Sequence, residues 1–340
     1  MPNHFEQSFD LGGLEIGEGR PALVVAEIGG NAGRDMELAL KMIDAAQKAG
    51  AAAVKFQAYR TSRFLARDSR YYDELAEEEL SPEDLAAARA FAEARGLAFI
   101  SSAFDFDSLA CLARLDVAAV KIASGDIDNF PLLEAAAALG KPIILSTGAS
   151  DLAETAAAVS FIKGLGVRKL VLLHCTTLYP CPDDQANLRS IPFLKERFNL
   201  PVGFSDHTLG IEAPLAALAL GAVLIEKHFT VDRGLPGGDN SMSCLPDELA
   251  ALARGAHRID RMLGGFAKVP SPGESEMRTA IRRSLAAGRD IKAGETFSRE
   301  NIDFKRPAQG LRPEDFYRLK GRRAGKNIRA DEFITWDMVE

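Results

Sequence analysis

The 340-residue chain has only four cysteines, Cys111, Cys175, Cys181 and Cys244, and no two of them form a C-x-x-C pair. That scatter suits neither a zinc ribbon nor a disulfide framework, and it points to a reducing, cytoplasmic setting. The N-terminus lacks a basic start followed by an apolar stretch, and the longest apolar run, LAALALGAVLI, has eleven residues, so neither export nor membrane insertion is expected. No G-x-G-x-x-G follows the first strand-like run, which argues against a dinucleotide site. The net charge is −7, yet from Arg278 onward fifteen Lys/Arg stand against ten Asp/Glu. Cations interleaved with anions make a poor nucleic-acid footprint. A basic module on an acidic body is better suited to docking on another acidic body, or to drawing in an anionic substrate.

What the chain does contain is a repeated apolar pattern. ALVVAEIGG, AAAVKFQAY, LAFISSAF, VAAVKIASGD, PIILSTG, KLVLLHCTTLYP, PVGFSDH and AVLIEKHFT read as eight strands, separated by segments with helical spacing. Eight such units in about 240 residues predict an α/β fold of the (β/α)8 (TIM) barrel type over residues 1–265. Glycine, proline and serine then replace the periodic pattern, as in a linker, over 266–281. Short β-like pieces such as SLAAGRDI and IDFKRP predict a small, mostly β domain over 282–340.

In such a barrel the active rim lies at the strand C-termini. The polar residues that close the runs include Glu27, Lys55, Gln57, Ser102, Lys121, Ser124, Asp126, Thr177, Tyr179, Ser205, Asp206, His207, Glu226, Lys227 and His228, with Asp239 beyond. His207 and His228 sit at matching points of two successive units, so both imidazoles come out on one rim. There they either hydrogen-bond locally or form a divalent-cation site with open positions. Lys55 and Lys121 lie in apolar contexts, AVKF and AVKI. Two lysines in one rim predict an anion between them, with the hydroxyls of Ser102, Ser124 and Ser205 as further donors; the alternative is ion pairing with Glu27 or Asp126. A Schiff-base lysine is a third reading.

AEIGGN, VKFQAY, FISSAF, VKIASGD, PIILSTG, LLHCTTLYP, GFSDHTLG and EKHFT, with KRPAQG in the tail, resemble the sialic acid synthase (N-acetylneuraminate synthase) family. The resemblance implies a metal-dependent barrel joined to a C-terminal antifreeze-like (SAF) domain. It implies condensation of phosphoenolpyruvate with N-acetylmannosamine or a related sugar to a nine-carbon 2-keto acid, with release of phosphate. Carried over motif by motif, His207 and His228 ligate Mn2+ or Mg2+, while Lys55, Ser102, Lys121, Ser124 and Ser205 hold phosphoenolpyruvate. Glu27 orients water or moves protons, and Gln57, Asp126, Tyr179 and Asp239 face the sugar. Arg306 reaches it from the partner subunit of a domain-swapped homodimer. Thr177 and Asp126 replace the Asn and Glu of the sialate enzymes, GGNAGR replaces N-H-N-G after AEI, and RPAQG replaces RPGNG. The segment between Lys55 and Ser101 is shorter than in those enzymes and reads as a different lid. The reaction type is thus expected to hold while the acceptor sugar shifts, for example to a diacetamido-trideoxy hexose. A non-catalytic protein of glycan or spore-coat assembly is the competing expectation.

Overall fold

In the computed structural model, which describes residues 4–340, the chain divides into two compact units, Met1–Gly264 and Gly265–Glu340. The first unit opens with an antiparallel hairpin, β1 (Ser8–Leu11) and β2 (Leu14–Gly17). Eight parallel strands follow: β3 (Leu23–Glu27), β4 (Ala53–Ala58), β5 (Ala98–Ala103), β6 (Val120–Ile122), β7 (Ile143–Ser146), β8 (Leu170–His174), β9 (Val202–Asp206) and β10 (Leu224–His228). They close into a barrel in sequence order, with β10 beside β3. This is the expected (β/α)8 architecture.

Each strand is followed by a helix that covers its outer face. Met36–Lys48 shows why such segments are helical: Ala39, Met42, Ile43 and Ala46 recur at helical spacing and are buried, and Asp35 caps the start by accepting from Leu38 N at 3.0 Å. Such a cap contributes about 1 kcal/mol.

The barrel interior explains where chemistry can sit. Side chains alternate along a strand, so every second residue points inward. At the N-terminal ends these are apolar: Leu23, Val25, Ala53, Ala98, Ile100, Ile144, Val171, Leu173 and Leu224 form one buried cluster with Phe9, Leu11 and Ile16 of the hairpin. Two residues further along the same faces stand Glu27, Lys55, Ser102, Cys175 and Glu226. Gly203 on β9 leaves no room for a side chain: a Cβ there would lie 2.5 Å from Leu224 O and 2.7 Å from Leu173 Cδ2.

The stretch expected to be a linker over 266–281 is helical at Pro272–Ile281, started by Ser271 and Glu274 in a reciprocal capping box. The glycine and proline content obscured it, although S-P-x-E is itself a helix-start pattern. Beyond it, β11 (Ser284–Ala287) pairs antiparallel with β12 (Ile302–Lys305) over a core of Leu285, Phe297, Leu319 and Ile334.

Candidate active site

The register brings the expected residues together. His228 on β10 pairs with Glu27 on β3, and Glu27 with Lys55 on β4. Gln57 pairs with Ser102, and Ser102 with Lys121. Ser205 on β9 faces Glu226 on β10. All eight strands contribute to one polar mouth over the apolar floor.

Lys55 Nζ lies 2.7 Å from Glu27 Oε2 and 3.6 Å from Glu226 Oε1, and it donates to Ser102 Oγ at 3.3 Å. For Lys55 the ion-pair alternative is therefore the one formed. Its ammonium group is held above the usual lysine range: burial would lower it, but Glu226 and Glu27 outweigh that. Glu27 Oε2 faces this ammonium group in a buried ion pair. Glu27 Oε1 accepts from Gln57 Nε2 at 2.9 Å. Burial raises the Glu27 carboxyl, whereas Lys55 and Lys121 more than offset burial at Glu226 and lower it.

Lys121 is different. It is only 3% exposed, its one hydrogen bond goes to Ile122 O at 3.0 Å, and among the described residues no carboxylate pairs with it. Asp126, the other candidate partner, is instead bound by Asn129 Nδ2 at 3.1 Å. Burial pushes the Lys121 ammonium below its ordinary range. A buried cation without a counter-ion is the feature expected of an anion pocket. Ser102 Oγ accepts from Lys55, which leaves its hydroxyl proton for an incoming oxyanion, while Ser124 Oγ accepts from Gly148 N at 3.0 Å and shares a hydrogen bond with Cys175 Sγ at 3.1 Å. Ser205 departs from that expectation, because it donates its proton to Glu226 Oε1 at 3.1 Å.

His207 and His228 lie side by side, ring centroids 5.4 Å apart. His207 Nδ1 is 2.7 Å from Thr176 O, which places the proton on Nδ1, and His228 Nδ1 is 3.3 Å from Asp239 Oδ2. Burial lowers the proton affinity of both rings, most strongly at His228, so both are neutral at pH 7. Tyr179 covers His207 at 4.2 Å and meets His228 edge-on at 5.8 Å. Neither Nε2 bonds to the protein among the described residues. Paired neutral imidazoles, each with Nδ1 turned to an oxygen, are the donor set that suits a divalent cation. No group of three or more His, Cys, Asp or Glu side chains arranged for a metal occurs among the described residues.

Thr177 is exposed beside the Gly148 turn. Arg306 belongs to the second unit, where it is exposed. The short segment after β4 forms two small helices, Thr61–Phe64 and Tyr72–Glu78. Arg34 holds the second by donating to Ala76 O at 2.8 Å and Glu79 O at 3.1 Å. Asn31, which sequence reasoning passed over, is buried and ties the first loop to the last: it donates to Phe229 O at 2.9 Å and Ser243 Oγ at 2.8 Å and accepts from Asp239 N at 2.7 Å. Glu226 was visible as a strand-closing residue. Its place between Lys55 and Ser205 depends on strand register, which one chain read linearly does not reveal. A cavity of about 590 Å3 opens at the opposite end of the barrel, lined by Gly12, Gly13, Ala98 and Lys141, and holds none of these polar residues.

Gly148 offers a direct test of how tightly the mouth is built. A Cβ at this position would lie 2.2 Å from Thr177 Oγ1, 2.7 Å from Cys175 Sγ and 2.8 Å from Ser124 Oγ. Gly148→Ala is expected to displace Ser124 and lower kcat/KM about a hundredfold, the cost of an ångström-scale misplacement. Steady-state kinetics with an unchanged circular dichroism spectrum would bear this out; wild-type kinetics would show that Ser124 needs no fixed position.

The fold and mouth define a class: a (β/α)8 barrel with two buried lysines and an imidazole pair at the strand C-termini. Residues 42–268 match the NeuB family model and residues 282–340 match the SAF domain. An uncharacterized protein of Methanocaldococcus jannaschii is 40% identical, over 97% of this chain and 98% of its own. The N,N'-diacetyllegionaminic acid synthase of Legionella pneumophila is 36% identical, over 95% of this chain and 96% of its own. The crystal structure of N-acetylneuraminic acid (sialic acid) synthetase from Leptospira borgpetersenii serovar Hardjo-bovis, in complex with citrate, is 40% identical and superposes with a TM-score of 0.77 over 80% of this chain and 95% of that one. The chain belongs to the sialic acid synthase (NeuB) family, with a SAF domain at its C-terminal end.

Proposed function

We propose that this protein condenses phosphoenolpyruvate with an N-acylated hexosamine and water, giving a nine-carbon 2-keto acid and inorganic phosphate. The observation that carries this reading is Lys121, a buried ammonium group without a carboxylate partner, in the same mouth as two neutral imidazoles whose Nε2 atoms are free. Lys121 and Lys55 neutralise the phosphate and carboxylate of phosphoenolpyruvate, with Ser102 and Ser124 donating to its oxygens. Glu226 limits the excess positive charge when the pocket is empty. Glu27 has one oxygen fixed by Gln57 and the other against the Lys55 ammonium group, so its carboxylate is held in place to accept a proton from the water that adds at C2.

A divalent cation, Mn2+ or Mg2+, held by His207 and His228 would supply Lewis acidity at the sugar carbonyl. Tyr179 shields the two rings from bulk water. Gln57, Asp126, Thr177 and Asp239 line the approach of the sugar, and Arg306 of the partner subunit would complete it in a domain-swapped homodimer.

The test is release of phosphate from phosphoenolpyruvate by the full chain with MnCl2 and a panel of N-acylated hexosamines. The Legionella relative's name puts a diacetamido sugar first and N-acetylmannosamine second. Sugar-dependent release, abolished by chelator, and a product mass equal to the nine-carbon acid are expected. No release with any sugar would favour a non-catalytic role in glycan assembly.

A further inference from the structure

Immediately behind the two imidazoles, on the opposite face of the same two strands, lies a buried ion pair that the reaction does not use. Lys227 Nζ is 2.5 Å from Asp206 Oδ2 and donates to Thr208 O at 2.8 Å. Asp206 Oδ1 accepts from Thr208 N at 2.9 Å and from Thr208 Oγ1 at 2.8 Å. Asp206 and Lys227 are directly paired across β9 and β10. Both are enclosed, at 0% and 2% exposure. Alternation along the strands puts Ser205, His207, Glu226 and His228 toward the mouth, and therefore Asp206 and Lys227 toward the surrounding helices. Just below them on the same face are Phe204 and Ile225, members of the apolar layer between strands and helices.

We infer that the Asp206–Lys227 pair is a positioning device that sets the separation and direction of the His207 and His228 rings, and so the affinity of their divalent cation; this rests on the reading given under Proposed function. Each member of the pair immediately precedes one of the histidines. Lys227 grips the chain on both sides of His207, through the side chain of residue 206 and the carbonyl of residue 208. His207 is therefore held between two anchored neighbours, and His228 follows the anchor itself.

Stability alone does not account for the pair. Burying two charges costs desolvation that their mutual attraction only roughly repays, and apolar residues of similar size serve as well or better in such positions. What an apolar pair cannot provide is a fixed cross-strand register of side-chain atoms. Groups that orient metal ligands from behind typically govern affinity by ten- to a hundredfold.

The experiment is titration of the full-length protein with MnCl2 alone, by calorimetry or by loss of the free-ion EPR signal, with no sugar or phosphoenolpyruvate present. The double variant Asp206→Asn/Lys227→Met removes both charges and the cross-strand tie, yet leaves an acceptor for Thr208. It is expected to melt cooperatively and to bind Mn2+ at least tenfold more weakly than wild type, while KM for phosphoenolpyruvate changes less than twofold. Lys227→Arg keeps a charge-assisted bond to Asp206 and is expected to restore most of the affinity. Should the double variant not accumulate, Lys227→Gln, which keeps a donor near Asp206 but loses the charge, is expected to weaken Mn2+ binding severalfold. A folded double or Gln variant with wild-type affinity would overturn the inference. Absence of Mn2+ binding by wild type would remove the cation reading itself, an outcome that separates the two.

Discussion

Lys121→Met is expected to raise the melting temperature of the ligand-free protein while abolishing phosphate release. Lys121 is enclosed, pairs with no carboxylate among the described residues, and is pushed below its ordinary range by burial. Methionine fills a similar volume without a charge, and replacing buried ionic groups by apolar ones often gains about 1–4 kcal/mol. The pH dependence gives a second reading. The folded-state affinity of Lys121 for its proton lies below the value of 10.5 in the absence of the fold. Between the two, the unfolded chain binds a proton that the folded one does not, so wild-type stability rises with pH across that window and the gain is lost as pH falls through the folded value. The variant is expected to lack that slope. Phosphoenolpyruvate at a hundred times its Kd is expected to stabilise wild type by about 2.7 kcal/mol and to leave the variant unchanged. Scanning calorimetry at several pH values reads all three effects. A variant that melts below wild type would mean the protein satisfies this ammonium group by itself.

His207→Ala is expected to remove turnover altogether and, with it, the stabilisation that added Mn2+ gives to wild type. The ring is buried, its Nδ1 donates to Thr176 O, and Tyr179 lies tilted against it, so the substitution also costs about 1–3 kcal/mol from the unpaired carbonyl. That loss is small beside the stability of a barrel of this size, and the variant is expected to stay folded. The two effects are told apart by thermal melts with and without MnCl2: wild type shifts upward with metal, and the variant does not. Turnover by His207→Ala at the wild-type rate in chelator-treated buffer would exclude a role for the ring in holding the cation.

How far the chain could be read without coordinates depended on the range of each interaction. The eight strands were legible because each is a short apolar run closed by polar residues, and strand ends within a barrel share one rim whatever their register. Lys121, His207 and His228 could be singled out for the same reason. The pairing of Lys55 with Glu27 was left open, since these residues are 28 positions apart and meet only because β3 and β4 are in a particular register. Ser205 reads as a phosphate donor from its place at a strand end, and the hydrogen bond it gives to Glu226 depends on the pairing of β9 with β10. The Asp206–Lys227 pair was equally hidden: both residues looked like part of the polar rim, and only strict alternation places them behind it. The helix at Pro272–Ile281 is a local feature signalled by Ser271 and Glu274, but Gly264, Gly265, Pro270, Pro272 and Gly273 around its start give the segment the composition of a linker.

The hairpin β1–β2 seals the barrel from beneath with Phe9, Leu11 and Ile16, stacked under a tier of aliphatic side chains. The polar mouth is consequently a blind-ended well. Water, ions and any reactant reach its lysines and imidazoles from one direction and must depart by the same route, so whatever caps that opening governs traffic both ways.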